Sequence, residues 1–234
     1  AFIALIIANV IWGAASPIFK LSLQNIPPFT LAFWRFFLGA IILAAFLKFR
    51  INLPIASRKD LVLFVFYGLT GITLNIIFYF WGLRLTYAIN APIIASAQPI
   101  ITLLFALVLL KEAFVLKKFI GMLLGTAGIL IIVLEPILTV GVDGSVIGNV
   151  FLVIATLAAV ANMIVGRSIL PRYHPMSFTF GAFIIGAASF LPLAAFEYAT
   201  IPGLYPTLDW RGYLGIAFGA ILSSAAAYSL YAWG

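Results

Sequence analysis

Cysteine is absent from this chain, which excludes disulfides, thiolate nucleophiles and cysteine-held metals. Histidine occurs once, at His174, in a short polar connection with no second ligand nearby for a metal. Charge is scarce: Asp, Glu, Lys and Arg make up 8% of the 234 residues, against about 25% in soluble domains. Six acids face 13 Lys and Arg, yet no basic stripe interleaved with aromatics suggests nucleic acid as a partner. No cofactor is expected either. Without a nucleophile–base pair, a metal cluster or paired buried acids, an enzyme is not the expected class.

What is present is apolar. Hydrophobic residues form 65% of the chain, and the mean hydropathy is +1.23. A soluble core of this size cannot hide that much apolar surface, so the excess faces a lipid bilayer. One crossing takes about 20 apolar residues. That rule gives eight spans, at roughly 1–19, 28–47, 60–83, 87–110, 116–134, 145–167, 175–196 and 211–234. Pro27, Pro28, Pro54, Pro136, Pro171, Pro202 and Pro206 sit in or beside the breaks, where a missing N–H costs least. The expected class is an all-α polytopic membrane protein.

With the first residue in the cytoplasm, the inner loops hold Lys48, Arg50, Arg58, Lys59, Lys111, Lys117, Lys118, Arg167 and Arg172, and the outer loops only Lys20, Arg84 and Arg211. That asymmetry predicts a cytoplasmic N-terminus. Glu135, Asp143, Glu197 and Asp209 then fall at the outer surface. The chain opens at Ala1 inside an apolar run, without an initiator Met or a basic n-region, so a trimmed start is expected.

The chain also echoes itself. Pro28-Phe29-Thr30 and Gly39-Ala40 return 147 positions later as Pro175-Met176-Ser177 and Gly186-Ala187. Tyr79-Phe80-Trp81-Gly82 returns 152 positions later as Tyr231-Ala232-Trp233-Gly234. Spans one to three thus correspond to spans six to eight, a repeat of five spans. An odd number of crossings turns the second copy upside down, as in alternating-access transporters. The expected division is a first five-helix repeat at 1–134 and a second, inverted one at 145–234, truncated after its third helix.

Polar residues inside spans mark the candidate site, because burying them unpaired is costly. Asn9, Trp12 and Ser16 follow i, i+3, i+7 spacing on span one. Gly71, Asn75 and Tyr79 recur every four residues on span three, while Asn90 and Gln98 are about 80° apart on span four if the helix is continuous. Asn162 adds an amide on span six; Ser224, Tyr228 and Tyr231 repeat the stripe on span eight. Together these predict a cavity suited to an amphipathic organic solute. Equally, Asn, Ser and Thr glue membrane helices together. Arg35 is the one charge well within a span. Two readings stand: it snorkels to the headgroups, or it pairs with a solute carboxylate or with helix C-terminal carbonyls. Pro92 and Pro99 bracket the middle of span four as a candidate hinge. No acid lies near the middle of a span, so movement down a gradient or exchange is expected rather than carboxylate-based proton coupling. A channel or a non-transporting membrane scaffold are the alternatives to a carrier.

Asn9-Val10-Ile11-Trp12-Gly13 with Ser16-Pro17, Pro28 leading to Phe33-Trp34-Arg35-Phe36, and Ala91-Pro92 through Gln98-Pro99 to Lys111-Glu112, Gly121 and Gly125-Thr126-Ala127-Gly128 resemble the EamA branch of the drug/metabolite transporter superfamily. The resemblance implies ten helices in two inverted halves, a central cavity, and export or exchange of amino acids and related metabolites across a bacterial or archaeal cytoplasmic membrane. This chain departs from it in lacking the last two helices and in having Ala182 where the first half has Arg35.

Overall fold

The computed structural model describes residues 2–51, 55, 57–109, 119–121, 123–128, 131 and 144–233. Regular structure among them is entirely helical. α1 spans Phe2–Ser22, α2 Pro28–Phe46, α3 Arg58–Gly68 and α4 Asn75–Leu85; α5 covers Asn90–Ala95, α6 Gln98–Leu109, α7 Gly144–Ile169, α8 Pro175–Thr200, α9 Trp210–Ala217 and α10 Ala227–Trp233. A π-helical segment, Leu69–Leu74, joins α3 to α4, and a second, Phe218–Ala226, joins α9 to α10. Six of the resulting helices are long and apolar enough to cross a membrane: Phe2–Ser22, Pro28–Phe46, Arg58–Leu85, Ser145–Ile169, Pro175–Thr200 and Trp210–Tyr231. About half of the expected span at 116–134 lies outside the described residues, as do Lys111, Glu112, Lys117, Lys118, Glu135 and Asp143.

Local chemistry sets the helix ends. Pro28 opens α2, where its missing N–H is an orphan in any case. The Ser57 hydroxyl accepts from Asp60 N at 3.1 Å to cap α3, and Asp209 accepts from Arg211 N at 2.8 Å to cap α9. α2 closes on two left-handed residues, Lys48 and Phe49. There Phe49 N donates back to Ala44 O at 2.8 Å, which satisfies a terminal carbonyl.

Two expectations need correction. The stretch 87–110 is not one helix: a turn at Ser96-Ala97 divides it into α5 and α6. Pro99 has no N–H to carry the α5 hydrogen-bond ladder forward, so a new helix starts there instead. The angle predicted between Asn90 and Gln98 on one continuous helix therefore does not apply. Likewise α8 does not stop at 196 but runs to Thr200. The extra turn buries Glu197, which the sequence placed at the outer surface. Its carboxylate accepts from Phe29 N at 3.2 Å, from Thr30 N at 2.7 Å and from the Thr30 hydroxyl at 2.8 Å. The N-terminus of α2 thus receives an anion where helix N–H groups are unpaired.

α2 packs against α8 and against the second π segment, while α8 packs in turn against the first; α7 lies along α4, and α1 along α9 and α10. Phenylalanines fill the centre. Phe36 stacks with Phe190 at 6.3 Å and meets Phe183 at 5.4 Å, and Phe19 meets Phe80 at 5.2 Å. In lipid these rings gain packing rather than escape from water, because the surrounding tails are as apolar as they are. For the same reason Phe2, Ile3, Val10, Phe46 and Val62 stand exposed on the helix surfaces without a protein partner. Close helix approach is bought with glycine where α4 crosses α7. A Cβ on Gly82 would sit 2.9 Å from the Gly148 carbonyl oxygen, a backbone atom that cannot rotate away.

Candidate functional site

α1, α2 and the second π segment meet around one guanidinium. Arg35 lies two turns into α2 and is only 4% exposed. Its Nε donates to the Ser224 hydroxyl at 2.9 Å and its Nη2 to the Ser223 hydroxyl at 3.1 Å. The rings of Phe19 and Phe36 lie 4.9 Å and 4.8 Å from its central carbon, in cation–π range. Gly219 makes the space: a Cβ there would stand 3.0 Å from Arg35 Cγ. The snorkelling reading is therefore overturned. Within reach, serine hydroxyls and aromatic faces hold the charge more closely than distant headgroups.

An aromatic wall continues from this centre. Trp12 donates its indole N–H to the Ser223 carbonyl at 3.1 Å, and its ring meets Tyr228 and Tyr231, both at 5.4 Å. Tyr228 stands edge-on to Phe183 at 5.2 Å. Ser16 and Tyr79 share a hydrogen bond of 2.9 Å, which ties α4 to α1.

Beyond Tyr228 and Phe183 lies a cavity of about 10 Å³, room for roughly one water. Tyr67, Gly71, Ile72, Asn162, Thr179 and Ala182 complete its lining. Asn162 donates to the Tyr67 carbonyl at 2.7 Å and lies flat over Gly71, whose missing side chain admits it. The cavity is narrow and partly open, with Tyr67, Gly71, Asn162 and Tyr228 only half-buried around it. An organic solute is larger than this volume.

The structure thus gathers Trp12, Arg35, Ser224 and Tyr228 into one contacting group. It places Asn162 on the cavity with Tyr228, and sets Ser16 and Tyr79 against each other between α1 and α4. The other candidates lie elsewhere. Asn9 is exposed, and its amide bonds the Leu5 carbonyl of its own helix at 2.8 Å. Asn75 donates to the Ala155 carbonyl on α7 at 2.8 Å. Asn75 and Tyr79 differ by about 40° around the axis, and α4 sits between α7 and α1, so one side chain turns to each neighbour. Asn90 donates to Thr86 Oγ1 and Asn149 Oδ1, both at 3.0 Å, where α5 meets α7. Gln98 is half-buried in the first turn of α6. Pro92 and Pro99 occupy the first turns of α5 and α6, either side of the Ser96-Ala97 turn.

Sequence reasoning passed over Tyr67, Thr179 and Phe183, and marked Ala182 only as the counterpart of Arg35. Tyr67 had a legible signal, since it extends the four-residue series Gly71, Asn75, Tyr79 by one step backwards. Phe183 gave none: it is an apolar residue in an apolar helix.

Two other charges are held by structure alone. Lys20 donates to the carbonyls of Leu83 at 2.6 Å, Arg84 at 3.0 Å and Thr86 at 2.9 Å, so a cation closes the C-terminus of α4. Asp60, 4% exposed, pairs with Arg172 at 2.9 Å and accepts from the Tyr173 hydroxyl at 3.3 Å.

Fold and interior together define a multi-pass helical membrane protein whose polar groups are turned into the helix bundle. The chain belongs to the EamA-like transporter family, whose profile matches residues 1–134. It is similar to an uncharacterized transporter of Archaeoglobus fulgidus, 26% identical over 97% of this chain and 77% of that protein. It is also similar to the uncharacterized transporter YetK of Bacillus subtilis, at 26% identity over 90% of this chain and 64% of that one. An S-adenosylmethionine uptake transporter of Rickettsia prowazekii is 24% identical over 71% of this chain and 54% of its own length. The chain therefore spans between about half and three quarters of these relatives. A crystal structure with a TM-score of 0.62 shares the fold over 96% of this chain and 78% of that one, at 21% identity.

Proposed function

We propose that this protein is an alternating-access carrier that exports or exchanges small organic metabolites, amino acids or related compounds, across a bacterial or archaeal cytoplasmic membrane. Two units of opposite orientation, 1–134 and 145–234, rock about a central site, with the N-terminus in the cytoplasm as the basic loops favour. The site is formed by Trp12, Ser16, Arg35, Tyr79, Asn162, Ser224 and Tyr228. Asn9, Asn75, Asn90 and Gln98 line the path in other conformations, and the Pro92–Pro99 break serves as a hinge.

The observation that carries this reading is the water-sized cavity behind Tyr228 and Phe183, lined by residues from both 1–134 and 145–234. Reciprocal contacts support the inverted relation. Gly39 of α2 lies against Ser224 of the second π segment, a would-be Cβ standing 3.2 Å from Ser224 Cβ. Gly186, 147 positions after Gly39, lies against Ile72, which is 152 positions before Ser224. Two π segments at matching places in the third span of each unit give each half a turn that can rewind.

Counterflow in vesicles containing the purified protein tests the carrier. Amino acids, purines and sugars form the panel, and the name of the Rickettsia relative adds S-adenosylmethionine. Saturable uptake driven by a trapped solute is expected. Linear, unsaturable flux marks a channel instead, and no flux with any member of the panel marks a scaffold.

A further inference from the structure

Among the described residues, the buried and half-buried charges fall into two kinds. Lys20 is saturated by three carbonyls, Glu197 by three donors, and Asp60 by Arg172 and Tyr173. Arg35 differs. A guanidinium carries five N–H donors, and here two serine hydroxyls take one each. Among the described residues no carboxylate stands within ion-pair distance of it; the ion pairs are Arg172–Asp60 and Arg211–Asp209. Hydroxyls and rings soften the charge without cancelling it, and an uncancelled charge in the interior is expensive to keep.

From this we infer that Arg35 anchors the carboxylate of a net-anionic organic solute. The inference rests on the carrier reading. Ser223 and Ser224 suit the role because a hydroxyl both accepts and donates. Each releases its guanidinium N–H and turns its own proton to the arriving carboxylate, or back to a carbonyl of its own helix. The freed fork then meets the carboxylate with two parallel N–H bonds. Among the described residues all three acids are already engaged: Asp60 by Arg172, Glu197 by the start of α2, and Asp209 by Arg211. A solute ammonium finds no carboxylate there, which favours a simple organic anion over a zwitterion. Occupancy also cancels the buried charge, so the loaded carrier passes through its closed state more readily than the empty one. The protein is then an exchanger rather than a uniporter.

Thermal unfolding of the full chain in detergent tests the anchor without requiring transport. The probes are two skeletons in three forms: 4-methylpentanoate, L-leucine and 4-methylpentanamide, and 3-phenylpropanoate, L-phenylalanine and 3-phenylpropanamide. At a saturating dose at least one simple carboxylate is expected to raise the unfolding temperature by about 5 °C, its amino acid less, and its amide not at all. Arg35→Met is expected to unfold, ligand-free, no lower than wild type and to lose the shift; Arg35→Lys is expected to keep a weaker one. Protection by amides equal to that by carboxylates, or by neither carboxylate, overturns the inference. So does an Arg35→Met protein that retains the shift or unfolds well below wild type, since its arginine is then a structural one. In vesicles, efflux of the protecting carboxylate is expected to rise at least tenfold when the same anion is supplied outside, and equal efflux overturns the exchange step. Binding without any counterflow defeats the carrier reading alone, whereas counterflow indifferent to the carboxylate defeats this inference alone.

Discussion

α2 and α8 each lay one face against a π segment, yet the two contacts hold opposite contents. On α2, Arg35 fills the space beside Gly219 and spends its donors on Ser223 and Ser224. On α8, the corresponding residue is Ala182, and the space beside Gly71 and Ile72 holds a water-sized cavity instead. One frame therefore supplies a charge and the other supplies room. In the proposed carrier a solute site uses both, and neither contact provides both alone.

The glycine contact of α8 with the first π segment, at Gly186, is tighter than that of α2 with the second, at Gly39, and it gives the largest expected effect. A Cβ on Gly186 would overlap Ile72 Cγ2, a branch fixed next to the backbone. Gly186→Ala is expected to cost about 1–3 kcal/mol of stability by overpacking. Gly39→Ala, facing Ser224 Cβ at 3.2 Å and Phe183 at 3.4 Å, is expected to cost less than half as much. Unfolding of both variants in detergent ranks them. A double-mutant cycle with Ile72→Ala is expected to recover part of the Gly186 loss. Equal costs at the two glycines would show that the two contacts are packed alike after all.

A second comparison concerns the polar clamps at either end of α8. Glu197 holds α2 through three charge-assisted bonds in a buried setting, and Glu197→Gln is expected to cost about 1.5–3 kcal/mol. At the other end the Arg172 side chain is 59% exposed, so water replaces much of what Arg172→Met removes. Its expected cost is smaller. Unfolding that ranks Arg172→Met as the more damaging would reverse this assignment.

The smallest effect belongs to the exposed pair at the start of α9. The Arg211 guanidinium holds the Asp209 carboxyl below the usual carboxylate range. A pKa lowered by folding contributes stability above the unfolded value and loses it as pH falls through the folded one. The stability gap between wild type and Asp209→Asn is thus expected to shrink as the pH falls from about 5 to about 3. A gap that stays constant over that window removes the linkage.

Much of the site was legible beforehand, though unevenly. Trp12, Arg35, Ser224 and Tyr228 stand out in the sequence because a polar or charged group in an apolar helix needs a partner. Asn9 carries the same signal and satisfies it within its own helix, at the Leu5 carbonyl, so the signal does not say where the partner is. Asn90 and Gln98 were set on one continuous helix, and the turn before Pro99 divides them. Glu197 was placed at a surface because hydropathy falls near it, but its best acceptor geometry lay in the open N–H groups of α2, one turn further along.

The sequence by itself determined that this chain is helical, crosses a membrane several times and belongs to a transporter family. Those properties follow from summed hydropathy, scarce charge and spaced motifs, which no packing arrangement can change. Only the tertiary structure decided that Arg35 turns inward, that Asn9 turns out, and that Ala182 and Phe183 border a cavity. Each of those outcomes depends on how helices rotate against one another and where two π segments widen the backbone. Rotation of a helix that is apolar on every side leaves almost no trace in its residue pattern.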